Sequence, residues 1–230
     1  IYVICSKGID LRRKEFLSNT IYNLTQSNKI AVLSGPTFAD QLAKRLPTAA
    51  TLACKNKNKT ALLLKEISND YFRLYSSTDI IGVQINGILK NVLAIASGIT
   101  EGLGLGENAR AAILTRGIKE VLLIMNCLGG KKNTVLGLSG LGDILLTCNS
   151  KSSRNYSLGF QLGRGNKLKD ILKENKHVTE GLENVKFIIL VKKKCKIDTP
   201  IFDSVYRVLI KKTSINKVVI DLLNRPKKRE

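Results

Sequence analysis

Residues 80–100, IIGVQINGILKNVLAIASGIT, run for 21 positions with a single charge, Lys90. That is about the length a bilayer core demands of a helix, so this stretch decides what kind of chain this is. Gln84, Asn86, Lys90 and Asn91 sit near its centre. One central lysine alone costs roughly 2.5–3.5 kcal/mol on insertion scales. The stretch therefore reads as a buried helix of a soluble protein, and no membrane span is expected. Such a helix must be covered on most sides, and 230 residues suffice for a sizeable core.

The pattern differs on either side of this helix. Ile1 to Cys5 is a short apolar run that breaks at Lys7-Gly8, as a buried strand before a tight turn would. Phe16, Leu17, Ile21 and Leu24 recur at helical spacing. Residues 29–33 are strand-like and end in Ser34-Gly35-Pro36, where Pro36 can open a helix running to about Lys44. Residues 48–54 read as a strand, 60–67 as a helix and 71–75 as a strand. From Asp79, a plausible N-cap, the β signal vanishes. A second long helix is expected over 107–128, ending at Gly129-Gly130. Shorter ones are expected at 140–147, 154–162, 168–174, 180–193, 201–209 and 216–223. The predicted fold is an α/β layer over residues 1–78, an all-α unit over 79–224, and a frayed basic tail, RPKKRE, at 225–230.

Composition removes several chemistries. The five cysteines, Cys5, Cys54, Cys127, Cys148 and Cys195, form an odd, widely spaced set without a C-x-x-C pair. That excludes a disulfide scaffold, suits a reducing cytoplasm and offers no zinc site, so no metal is expected. His177 is the one histidine and reads as a loop residue. The net charge of +20 is spread along the chain rather than focused, and diffuse surface charge explains it better than a polyanion groove. The competing function is a non-catalytic basic protein that binds nucleic acid through its C-terminal lysines. Few aromatics stand near those lysines for base stacking, so no specific nucleic-acid partner is expected.

GLGLG at 102–106 follows a helix and lacks the G-x-G-x-x-G spacing, so it reads as a loop. Lys90 lies in an apolar helix with Asn86, Gly87 and Ala94 on its own face, leaving a small polar notch. It is either a desolvated amine fit for proton transfer or a lysine that snorkels to the surface. Ser153-Arg154-Asn155 stands at a helix start, where backbone N–H groups and a guanidinium suit an anion; Ser153 reads equally well as a simple N-cap. Asp143, in an apolar stretch, is either a cap or a carboxylate facing a site.

Together these stretches resemble the bacterial type of NAD(P)-dependent glycerol-3-phosphate dehydrogenase. The matching segments are SKGI (6–9), LSGPTFADQL (33–42), the run from 80 to 120, GLSGLGDILLTCNS (137–150), SRNYSLG (153–159) and VTEGLENVK (178–186). The resemblance implies a cytoplasmic enzyme that interconverts sn-glycerol 3-phosphate and dihydroxyacetone phosphate with NAD or NADP and supplies phospholipid synthesis. It also allows a homodimer. It makes Lys90 the proton-transfer residue and assigns substrate contacts to Lys7, Gly35, Thr37, Lys90, Asp143, Ser153, Arg154 and Asn155. Cofactor contacts fall on Lys7, Ala39, Arg154, Val178 and Glu180. By the same resemblance, Ile1 stands at a late strand of a Rossmann-type layer, and the glycine-rich pyrophosphate turn is expected upstream of this chain. Residues 1–230 alone are accordingly not expected to hold the cofactor.

Overall fold

The computed structural model describes residues 1–174 and 179–227, apart from the side chains of residues 174, 179 and 180. In chain order, β1 (Tyr2–Ile4) leads into a hairpin of β2 (Ile9–Asp10) and β3 (Glu15–Phe16), then α1 (Leu17–Thr25) and β4 (Ile30–Ser34). The layer continues through α2 (Ala39–Ala43), β5 (Thr48–Cys54), α3 (Lys57–Ile67) and β6 (Phe72–Ser77). Four of these strands form one sheet in the order β1-β4-β5-β6. The outer pairs are parallel and the central β4–β5 pair is antiparallel, with Val32 opposite Ala53.

Alternation along β4 shows why this layer needs cover on both faces. Ile30 and Val32 pack with Ile4 and Ala53 against α1 and the first turn of the long helix. Ala31 turns to the other face, among Ala50, Leu52, Phe72 and Leu74, under α3. The side chain of Asn56 caps α3 by accepting the Lys59 N–H at 3.0 Å.

Beyond the sheet the chain is helical. α4 (Ile80–Gly102) is capped by Asp79, which accepts the Gly82 N–H at 2.9 Å. Every residue of α4 but Ile81 and Glu101 is buried. It is long and apolar enough to cross a membrane, yet nearly all of it is buried inside the fold. Around it lie α5 (Gly106–Leu128), α6 (Lys132–Val135), a π turn over Leu138–Gly142, α7 (Asp143–Asn149) and α8 (Arg154–Gly163). Then follow α9 (Leu168–Glu174), α10 (Thr179–Cys195), α11 (Pro200–Leu209) and α12 (Ile215–Leu223). α4 and α8 approach backbone to backbone: a Cβ on Gly98 would stand 2.1 Å from the Tyr156 carbonyl oxygen, and one on Gly159 equally close to that of Ile95.

α11 is capped from another helix. The buried Glu120 of α5 accepts the N–H groups of Ile201 and Phe202 at 2.9 and 3.1 Å. Burial raises its carboxyl to about 7, against the opposing pull of those two bonds.

Several sequence expectations need correction. Phe16 belongs to a strand rather than the following helix. The helix expected from Pro36 begins only at Ala39, because the Thr37 hydroxyl donates to the Gly35 carbonyl and favours a local turn. The helix expected over 140–147 opens as a π turn over Leu138–Gly142 that runs on into α7, with the Gly140 Cα pressed on the Val135 backbone. The start of the tail is tied down, since Arg225 donates to Asp198. Not all cysteines stay as thiols. Cys127 of α5 and Cys195 of α10 form a disulfide, because the packing of those helices brings together residues 68 positions apart. Cys5, Cys54 and Cys148 are free.

Candidate active site at the junction of sheet and helices

Lys90 stands midway along α4 with its amine turned inward. Nζ donates to Asp143 Oδ1 at 2.5 Å and to Thr147 Oγ1 at 2.9 Å, and the residue is 6% exposed. This rules out the snorkelling reading. Asp143, at the start of α7, is shared: its Oδ2 accepts Lys7 Nζ at 2.8 Å. Lys7 comes from the loop after β1, and its aliphatic stem fills the notch over Gly87, where a Cβ would stand 3.2 Å from Lys7 Cγ. Asn184 of α10 steadies that loop by donating to the Lys7 carbonyl at 3.3 Å. Burial, then the charge of Lys7, lowers the Lys90 ammonium to about 8; Asp143 pulls the other way.

The approach to Asp143 is braced from α4. Asp79 accepts the Lys131 N–H at 2.8 Å and the Thr134 hydroxyl at 2.6 Å, and Asn86 donates to the Thr134 carbonyl at 3.0 Å. These bonds hold α6, and the π turn then delivers Asp143 to the two lysines.

The three groups open onto a cleft of about 520 Å³ between the β4–α2 loop and the start of α8. Of the residues expected at the site, Lys7, Thr37, Ala39, Lys90, Asp143, Ser153, Arg154 and Asn155 line it. Ser153 lines the cleft and is also the N-cap of α8, accepting the Tyr156 N–H at 3.3 Å. Gly35 does not line the cleft; its Cα is pressed against β5, where a Cβ would stand 2.8 Å from Ala50 Cα. Val178 and His177 lie outside the described residues, as does the Glu180 side chain.

Sequence reasoning missed Thr147, Asn91 and Asn184. Thr147 had a readable signal, because it lies one helical turn beyond Asp143 on the same face. Asn91 lines the cleft, and its buried amide nitrogen has no partner among the described residues. Asn184 acts across 177 positions of sequence, and no local pattern could have found it.

Residues 79–220 match the model of the NAD-dependent glycerol-3-phosphate dehydrogenase C-terminus, and residues 1–60 match that of its N-terminus. The chain belongs to this family.

Two curated relatives, both named glycerol-3-phosphate dehydrogenase [NAD(P)+], bear on its extent. The one from Rhodospirillum rubrum is 42% identical over 224 residues, which are 97% of this chain and 64% of the relative. The one from Solidesulfovibrio magneticus is 41% identical over 99% of this chain and 70% of its own. The chain thus spans about two-thirds of the length of these dehydrogenases. The crystal structure of glycerol-3-phosphate dehydrogenase from Coxiella burnetii superposes with a TM-score of 0.91 at 36% identity, over 97% of this chain and 68% of that one. In this family member the cleft carries three cations, Lys7, Lys90 and Arg154, against the carboxylates of Asp40 and Asp143, so its surplus is positive.

Proposed function

We propose that this chain supplies the substrate-handling machinery for the reversible oxidation of sn-glycerol 3-phosphate to dihydroxyacetone phosphate with NAD or NADP. The observation that carries this reading is the Lys7–Asp143–Lys90 arrangement opening onto a cationic cleft. Arg154, at the positive end of α8 beside Ser153 and Asn155, suits a phosphate dianion by a planar fork and by the helix dipole. The unpartnered Asn91 amide suits a substrate oxygen.

Lys90 is the proton carrier in this scheme. At about 8 its amine is neutral in a useful fraction near neutral pH, so it can take the proton of the substrate's 2-hydroxyl and return it in the reverse direction. Asp143 holds Lys90 in place and stabilises the ammonium that forms. Thr147 fixes the same nitrogen from the next turn of α7. Lys7, packed over Gly87, keeps a second cation beside the reacting end. The residues that would hold the nicotinamide end are Lys7, Phe38 and Ala39, a wall of apolar surface with one cation. When bound, that cofactor supplies the hydride acceptor. Val178 and Glu180 are further cofactor contacts by family resemblance.

The test uses this chain fused behind the N-terminal third of the Rhodospirillum rubrum relative. Lys90→Met should fold as the parent does and lose at least about a hundredfold in kcat. The parent's oxidation rate should rise with pH through about 8 and then level off, because the acceptor must be neutral. An unchanged kcat in Lys90→Met would remove the lysine from the reaction.

A further inference from the structure

Two ammonium groups share one carboxylate in the cleft, and they reach it from very different backbones. Lys90 comes from the middle of α4, whereas Lys7 comes from the loop between β1 and β2. Their mutual repulsion works against the arrangement. A lysine on a loop can relieve it by swinging into water, unless its backbone and its stem are held.

Both are held. From one side the Lys7 stem lies on Gly87, which stands three residues before Lys90 on the same face of α4. The three atoms nearest a Cβ at that glycine all belong to Lys7, with Cγ at 3.2 Å. From the other side α10 grips the loop twice. Its buried Asn184 donates to the Lys7 carbonyl at 3.3 Å. One turn further on, Phe187 meets Phe16 with ring centroids 6.0 Å apart, and Phe16 pairs across the hairpin with Ile9, two residues beyond Lys7. The hairpin thus carries the grip of α10 back to the loop.

We propose that Asn184 and Gly87 are positioning residues for Lys7, and that through Lys7 they keep Lys90 ready to lose its proton. Burial and then the charge of Lys7 hold the Lys90 ammonium at about 8. Were Lys7 to swing away, that push would go and Asp143 would be left to Lys90 alone; both changes raise the Lys90 ammonium. The other titratable or charged groups around it are Cys5 on the Lys7 loop, Asp40 on α2, Cys148 on α7 and Arg154 on α8. The substitutions below change none of these side chains. The role rests on Lys90 as the proton carrier, and its first readout needs no turnover.

NMR titration of the lysine ε-carbons in the full chain reads Lys90 directly, with its signal assigned by its loss in Lys90→Met. In Asn184→Leu, close in shape but unable to donate, the Lys90 midpoint should rise by about half a pH unit or more. Gly87→Ala should raise it too, because the atoms nearest the new methyl belong to the Lys7 stem. In a Lys7→Met background neither substitution should add a further rise. The kinetic counterpart uses the fusion behind the N-terminal third of the Rhodospirillum rubrum relative. There Asn184→Leu should lower the oxidation kcat about threefold at pH 7 and restore it by about pH 9.5, whereas mere loosening of the fold lowers it at every pH. A Lys90 midpoint unmoved in the folded variants overturns the proposal, as does a full rise on top of Lys7→Met. Should Asn184→Leu fail to fold, Gly87→Ala decides alone. A shifted midpoint beside an unchanged kcat in Lys90→Met would instead remove the proton-carrier reading and leave the positioning of Lys7 standing.

Discussion

The two layers bury their helices very differently. In the helical layer α4 hides all but two of its 23 residues, with α5, α7, α8, α10 and α11 packed around it. In the sheet layer α3 buries only Thr60, and α1 only Ser18 and Thr20. The site inherits this contrast. Lys90 and Asp143 sit on the solid side with side chains 8% and 1% exposed, whereas Lys7 arrives on a loop of the thinner layer at 18%. A group that must hold an unusual protonation state is placed where water is excluded and neighbours cannot yield. Lys7, on a loop of the thinner layer, keeps more of its surface in water.

The largest expected effect tests the tie between the layers. Asp143→Leu leaves Lys90 buried without its counter-ion and releases Lys7, and should cost about 3–5 kcal/mol in urea unfolding. A loss below about 1 kcal/mol would mean that the ion pairs do not join the layers. Next is packing within the solid layer: Ile88→Ala, at a position with no exposed surface, should cost about 2–5 kcal/mol. Third is the cap between α5 and α11. Folding raises the Glu120 carboxyl from its ordinary 4.5 to about 7, so the fold favours the protonated form. That contribution is complete below pH 4.5 and is lost as pH rises through 7. Stability relative to Glu120→Gln should therefore fall between pH 5 and 8 by on the order of 3 kcal/mol. The smallest effect belongs to the thin layer. Leu62→Ala, on the exposed side of α3, should change stability by no more than about 0.5 kcal/mol. A Leu62 effect as large as that of Ile88 would erase the contrast between the layers.

What was legible in the sequence follows the range of the interactions involved. The length and apolarity of α4, its Asp79 cap and the glycines that end α5 are local signals, and each marked its element within a residue or two. The Ser153 cap of α8 was equally local. The hairpin of β2 and β3 was not, because two residues per strand carry no period. The choice between a buried and a snorkelling Lys90 depended on Asp143, 53 positions away, and on Lys7 beyond it. The residue spacing around Lys90 describes its own helix face and is silent on what meets that face. The disulfide was hidden for the same reason.

That disulfide alters the chain's topology as a polymer. Cys127 and Cys195 close a covalent ring that contains Asp143, Ser153, Arg154 and Asn184, while Lys7 and Lys90 stay on the open strand that leads into it. Closing a loop of 68 residues removes unfolded-state entropy equivalent to about 4 kcal/mol in the chain-entropy model. When the fold is lost, Asp143, Ser153, Arg154 and Asn184 remain tethered to one another. Re-forming the cleft then brings one ring to α4 and to the loops that carry Lys7, Thr37 and Ala39.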